Sequence, residues 1–138
     1  MSTRHAFTGS PYESLYGFAR AVRAGDRIVV AGTGPVEDDG STTPGDAAAQ
    51  ATRCCTLICR ALAMLGAGPQ HVVRTRLLLT DPADQDAVGA VHARFFGEAR
   101  PAATMAGVAW LVRPEWKVEI EAETWIGDGS GGGETAGD

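Results

Sequence analysis

The chain has 138 residues, 44% of them hydrophobic and 21% charged, with 12 basic against 17 acidic side chains for a formal charge of −5. That length suits one domain able to bury its own core, and the longest apolar runs fall far short of the roughly 20 residues a membrane span needs. Scattered cations within an acidic balance argue against nucleic-acid binding, which draws on clustered positive charge.

At the N-terminus, Met1 to Thr8 carries Arg4 and His5 but no apolar run. A secretory signal is therefore not expected, and the cytoplasm is the expected compartment. Tyr16 to Arg23 reads as a strand pairing in a hairpin with Arg27 to Gly32 (RIVVAG), a β-branched run set off by the turn signal Ala24-Gly25-Asp26. Asp38-Asp39-Gly40 and Pro44-Gly45 mark a loop. Asp46 then caps a helix whose Ala51, Cys55, Ile58, Leu62 and Leu65 recur at three- and four-residue steps, until Gly66 and Gly68 stop it. Cys54, Cys55 and Cys59 share this helix, where their spacing suits a disulfide poorly, so they read as reduced thiols serving as small apolar groups.

Val72 to Thr80 (VVRTRLLLT) is a strand, and Asp81-Pro82 opens a second helix that carries Val88, Val91 and Phe95 on one side and ends at Gly97. Two strands, Thr104 to Leu111 and Lys117 to Ile126, complete the order ββαβαββ. In the last, Val118, Ile120 and Ala122 face one way, while Lys117, Glu119, Glu121 and Glu123 face the other. The pattern predicts an α+β domain over residues 1–126, a mixed sheet with both helices on one face. Residues 127–138 hold six glycines, three acids and no base, the composition of a disordered tail. The sheet's other face must meet water or another subunit. Tyr16, Phe18, Trp110, Trp116 and Trp125 lack assigned partners, as interface aromatics often do.

The strong catalytic motifs are missing. His5, His71 and His92 stand apart, with no Cys or carboxylate at metal-ligand spacing, so no metal site is expected. Gly32-Thr33-Gly34 follows a strand but leads into Pro35 rather than a helix; it reads as a bend or a place of close approach, not a dinucleotide fingerprint. There is no G-x-S-x-G elbow. The row Glu119, Glu121, Glu123 remains: a solvated strand face, or a row with one member held in a pocket, its pKa raised by burial so that it exchanges a proton with water or substrate. Arg74 and Arg76 share one side of their strand, as a charged face, an interfacial salt bridge or, if the face is enclosed, an anion site.

GDRIVVAGTGPV, Gln50, LGAGPQHVVRTRLLLTD, VHARFFG, RPAAT and KVEIEAE, spread over Tyr12 to Ile126, together resemble the Rid family of reactive intermediate deaminases, also called the YjgF or L-PSP endoribonuclease-like family. The resemblance implies a chorismate-mutase-like domain that assembles as a homotrimer, its sheets forming a central barrel, with ligand clefts between neighbouring subunits. It also implies hydrolysis of reactive enamines and imines to a ketone and ammonia, without metal or cofactor. In the family an arginine in a P-A-R-[ST] motif clamps the substrate carboxylate; here the motif stands as Pro101-Ala102-Ala103-Thr104. Losing such a charged partner costs about 2–5 kcal/mol of binding, so a divergent subfamily without efficient 2-iminopropionate deamination is implied.

By the same resemblance, Glu119 falls on the cleft glutamate that orients the attacking water, and Met105 supplies a neighbouring backbone carbonyl. Phe18 replaces a tyrosine and Ala31 a serine, while Gly32, Ala103 and Thr104 complete the expected substrate-binding set. Arg76 is the cation expected to stand in for the missing arginine if it reaches the cleft, with Arg20 in reserve. Two functions follow: processing of an imine, enamine or related intermediate by hydrolysis, deamination or tautomerisation, or a non-catalytic small-molecule-binding or chaperone-like role on the same trimeric scaffold. Neither involves a nucleic-acid or membrane partner.

Overall fold

A computed structural model describes residues 2–127. Its elements are β1 (Thr3–Ala6), α1 (Pro11–Tyr16), β2 (Ala21–Ala24), β3 (Arg27–Thr33), α2 (Ala47–Met64), β4 (Val72–Leu79), α3 (Gln85–Phe96), β5 (Ala102–Gly107) and β6 (Val118–Trp125). The strands form one six-stranded sheet in the order β1-β2-β3-β6-β4-β5. The β4–β5 pair is parallel and the other pairs are antiparallel. The predicted mixed sheet is found, with β1 and α1 added in front of the expected order. Among the described residues no helix is long and apolar enough to cross a membrane.

The first strand of the predicted hairpin is shorter than expected. Ser10 accepts a hydrogen bond from the Tyr12 N–H, Pro11 occupies the first helical turn, and Gly17 at φ 77° ends α1, so Tyr16 is helical. β2 then pairs with β3 from Ala21↔Val30 to Ala24↔Arg27, leaving Gly25 and Asp26 as a two-residue turn with Gly25 at φ 62°. Asp81 caps a single 3₁₀ turn, Pro82–Asp84, ahead of α3. The strand expected at Thr104 to Leu111 is β5, which lies two residues earlier at its start and leaves the sheet after Gly107.

The α2 stripe (Ala51, Cys55, Ile58, Leu62) packs with Val118, Ile120 and Ala122 of β6 in one buried core. Phe96, rather than the expected Phe95, is the fully buried ring of α3; Phe95 sits at the rim beneath the Arg94 guanidinium. All three cysteines are free. Burial pushes the Cys55 thiol up to about 12 and Cys54 well above its ordinary range, which keeps both in the unreactive thiol form. On the opposite face of the sheet, Arg27 meets Glu123 at 3.1 Å, Arg74 meets Glu123 at 3.7 Å, and Arg76 meets Glu121 at 2.8 Å. Exposed pairs of this kind contribute about 0–1 kcal/mol each. Of the predicted tail, all but Gly127 lies outside the described residues.

Candidate functional site

A kink in β3 builds the site. The register between β3 and β6 runs from Val30↔Ala122 to Thr33↔Ile120, so β3 carries one extra residue at Ala31-Gly32. A bulge of this kind re-aims side chains at a sheet edge. Two glycines, one within it and one beyond it, make room: a Cβ on Gly32 would sit 2.9 Å from a Glu119 carboxylate oxygen, and one on Gly34 would overlap the Trp116 ring. The Gly-Thr-Gly run is thus a place of close approach, with Glu119 and Trp116 as the approaching groups.

Over this bulge lies a cavity of about 300 Å³ lined by Thr8, Ser10, Tyr12, Tyr16, Phe18, Arg20, Ala31, Gly32, Gly34, Val36, Leu57, Val112, Trp116 and Glu119. Glu119 is partly buried in its wall. Among the described residues no side chain or backbone N–H bonds to its carboxylate and no cation pairs with it. Burial raises its pKa above the ordinary 4.5, a rise countered by the charge of Arg20 and reinforced by that of Glu121. Of the three alternating acids this is the one with an unengaged carboxylate in a cavity, since Glu121 and Glu123 are held by arginines.

Arg20 is 4% exposed and fixed on two sides. Its Nε donates to Glu13 Oε2 at 3.1 Å, and its Nη1 donates to the Gly32 carbonyl at 2.6 Å and to Thr33 Oγ1 at 3.3 Å. Glu13, also 4% exposed, additionally accepts from the Thr8 N–H, the Thr8 hydroxyl and the Gly9 N–H. The pair is therefore well satisfied, and it ties α1 to the bulge. Phe18 lies against the guanidinium, whose Cζ is 5.3 Å from the ring centroid.

The aromatic wall is fixed from behind. Tyr12 stacks on Tyr16 with centroids 5.8 Å apart and meets Trp116 edge-on at 6.1 Å. Arg113 lies over both Tyr12 and Trp116, donates to the Tyr12 hydroxyl at 2.8 Å and to Thr42 Oγ1 at 3.0 Å, and Trp116 Nε1 reaches the same hydroxyl at 3.2 Å. Gln50 of α2 clips this loop to the core, donating to the Glu115 carbonyl at 3.0 Å and accepting from the Lys117 N–H at 2.7 Å.

The structure brings Glu119, Phe18, Ala31, Gly32 and the reserve cation Arg20 into one cavity. Arg76 is not there: it stands opposite Glu121 in the β4–β6 register and is engaged by it, in a groove with Arg74 and Glu123. Ala103 and Thr104 are exposed on the edge strand β5, and Met105 lines a separate depression with Leu79, Pro82, Gln85 and Val108. Tyr12, Tyr16, Trp116 and Glu13 were not among the expected site residues; two of the three rings were visible in the sequence only as aromatics without partners. Trp110 and Trp125 remain exposed, at 75% and 53%. His71 accepts from the Gly68 N–H through Nδ1 and His92 bonds Thr75 Oγ1 at 2.7 Å. Among the described residues no three of His, Cys, Asp and Glu gather as metal ligands.

The six-stranded mixed sheet backed by two long helices, with a carboxylate and an aromatic cavity at its bulged strand, defines the class. Residues 8–125 match the family model described as Endoribonuclease L-PSP. The chain is 37% identical over 126 residues to the uncharacterized protein SCO2049 of Streptomyces coelicolor, covering 91% of this chain and 94% of that one. It is 32% identical over 104 residues to the 3-aminoacrylate deaminase RutC of Acinetobacter baylyi, covering 75% and 82%. The crystal structure of Rv2704 from Mycobacterium tuberculosis, a member of the YjgF/YER057c/UK114 family, superposes with a TM-score of 0.82 at 41% identity, covering 91% of this chain and all of that one. The chain belongs to the Rid/YjgF/L-PSP family.

Proposed function

We propose that the chain is a cofactor-independent hydrolase of imines or enamines, acting in the cavity over the β3 bulge. The observation that carries this reading is Glu119: a partly buried carboxylate with no protein partner among the described residues, raised in pKa and set over a glycine in an aromatic cavity. A deaminase relative, RutC, supports the reaction class. Water held by Glu119 attacks the carbon of a protonated C=N bond and gives up a proton to the carboxylate, which passes it to the nitrogen of the carbinolamine. As the C–N bond breaks the hydroxyl proton returns to the carboxylate, releasing the carbonyl compound and ammonia, and that proton then leaves with the ammonia as ammonium. General acid–base work of this kind contributes about 10²–10⁴-fold.

Assembly as a homotrimer completes the cleft in this reading. Ala103 and Thr104 lie on an exposed edge strand, remote from their own chain's cavity, and would line a neighbour's. Because Ala103 stands where the family's clamping arginine is expected, the substrate is a larger, less carboxylate-dependent imine than 2-iminopropionate, and the chain falls in a subfamily lacking that arginine. The test generates imines in situ, 2-iminopropionate from alanine with an amino-acid oxidase and aryl imines from arylalkylamines with an amine oxidase, and follows carbonyl product above the spontaneous rate. Acceleration of the aryl imines with little effect on 2-iminopropionate is expected. Fast 2-iminopropionate turnover would overturn the specificity, and a ligand held tightly but unreacted would favour a binding protein.

A further inference from the structure

We infer that the cavity selects a flat, carboxylate-free substrate in its cationic iminium form, held between the aromatic wall and Glu119; this rests on the function proposed above. The charge of the site leads to it. Among the described residues Arg20 is the one cation lining the cavity, and its charge is matched by buried Glu13 at 3.1 Å. Glu119 is then the uncompensated charge, so an anionic ligand would enter against it, whereas a cation would find a counter-ion. A neighbouring chain's edge strand would not reverse this balance, because β5, from Ala102 to Gly107, carries no charged side chain.

The shape of the wall points the same way. Tyr12, Tyr16, Phe18 and Trp116 present ring surface around about 300 Å³, room for a bicyclic or aryl-bearing molecule. Ring faces attract cations, and three of these rings already hold one, Arg20 over Phe18 and Arg113 over Tyr12 and Trp116, which leaves the exposed face of Tyr16 open. A protonated C=N conjugated to a ring satisfies both features: the ring packs on the wall and the positive nitrogen faces Glu119. The same protonation makes the carbon electrophilic, so the recognised form is the reactive one.

The test is isothermal titration of the full-length protein with two non-hydrolysable probes of similar shape, N-methylisoquinolinium and naphthalene-2-carboxylate. Wild type should bind the cation about tenfold more tightly or better. Glu119→Gln should weaken the cation at least about tenfold while leaving the carboxylate unchanged or tighter, which also reports that the variant is folded. Tyr16→Ala, at an exposed ring, should weaken both probes in parallel. Equal or tighter binding of the carboxylate by wild type, cation binding indifferent to Glu119→Gln, or no binding of either probe would overturn the inference. Neither probe has a hydrolysable C=N bond, so cation-selective binding without turnover of any imine would sink the proposed hydrolase and leave this selectivity standing. Imine turnover with carboxylate preference would do the reverse.

Discussion

Replacing Glu13 by Gln tests how the site is held together. Glu13 Oε2 accepts three donors, the Thr8 N–H, the Thr8 hydroxyl and Arg20 Nε, at 3.2, 3.0 and 3.1 Å, and Oε1 accepts the Gly9 N–H at 3.2 Å. A glutamine carbonyl in the Oε2 position keeps three of these bonds. Its amide then points N–H groups at the Gly9 N–H, and Arg20, 4% exposed, loses its counter-ion. Breaking a buried pair from one side costs about 3–5 kcal/mol, and the retained bonds place this substitution near the lower end, about 3 kcal/mol. A native domain has about 5–15 kcal/mol in hand, so the protein folds but unfolds measurably earlier. Guanidinium-chloride unfolding at fixed protomer concentration, followed by tryptophan fluorescence, gives the loss. Glu13→Gln combined with Arg20→Met removes both charges and should recover part of it, through a coupling of about 1–3 kcal/mol. A loss below about 1 kcal/mol, or strictly additive variants, would refute the view that this pair pins α1 to the bulge.

Other expectations follow from the same geometry. Gly34→Ala drives a methyl into the buried Trp116 ring and should cost about 1–3 kcal/mol in the same unfolding experiment; a neutral result would mean that the loop yields freely. Because the folded-state pKa of Glu119 is raised, the native chain holds its proton longer than the unfolded chain, so wild type loses stability relative to Glu119→Gln as pH rises from the ordinary 4.5 through the raised value. Paired melts across that window should diverge in favour of Gln, and parallel curves would contradict the burial of the charge. Ala103→Arg should raise 2-iminopropionate hydrolysis at least about tenfold, measured by ketone release, if a neighbour's β5 edge completes the cleft; no gain in a variant folded by circular dichroism would speak against that placement.

Much of the fold was legible because its signals are local. The two-residue alternation of β6 and the α2 stripe from Ala51 to Leu62 each lie within one element and survive folding unchanged. Elements that depend on capping against the rest of the chain were harder. Tyr16 to Arg23 looks strand-like, and only the Ser10-Pro11 start and the Gly17 stop turn its beginning into a helix end. Within the site, the residue pattern alone leaves Glu119 one of three equivalent acids and only the family resemblance singles it out, because what distinguishes it physically, the bulge and Gly32, lies on another strand. Arg76 looks free in the sequence because its partner, Glu121, is 45 residues away and meets it only through the β4–β6 register. Conversely, Arg20 is only the reserve cation by resemblance, yet its buried partner Glu13 and the bulge carbonyl hold it at the cavity.

The proposed hydrolysis stands or falls with Glu119 as the residue that performs the chemistry. Its most direct test is the single-turnover rate of aryl imine hydrolysis by wild type and by Glu119→Gln, with the imine formed in situ and the aldehyde product followed at pH 7. A loss of about 100-fold or more is expected, with the fold intact by circular dichroism. Equal rates for the two proteins would contradict it.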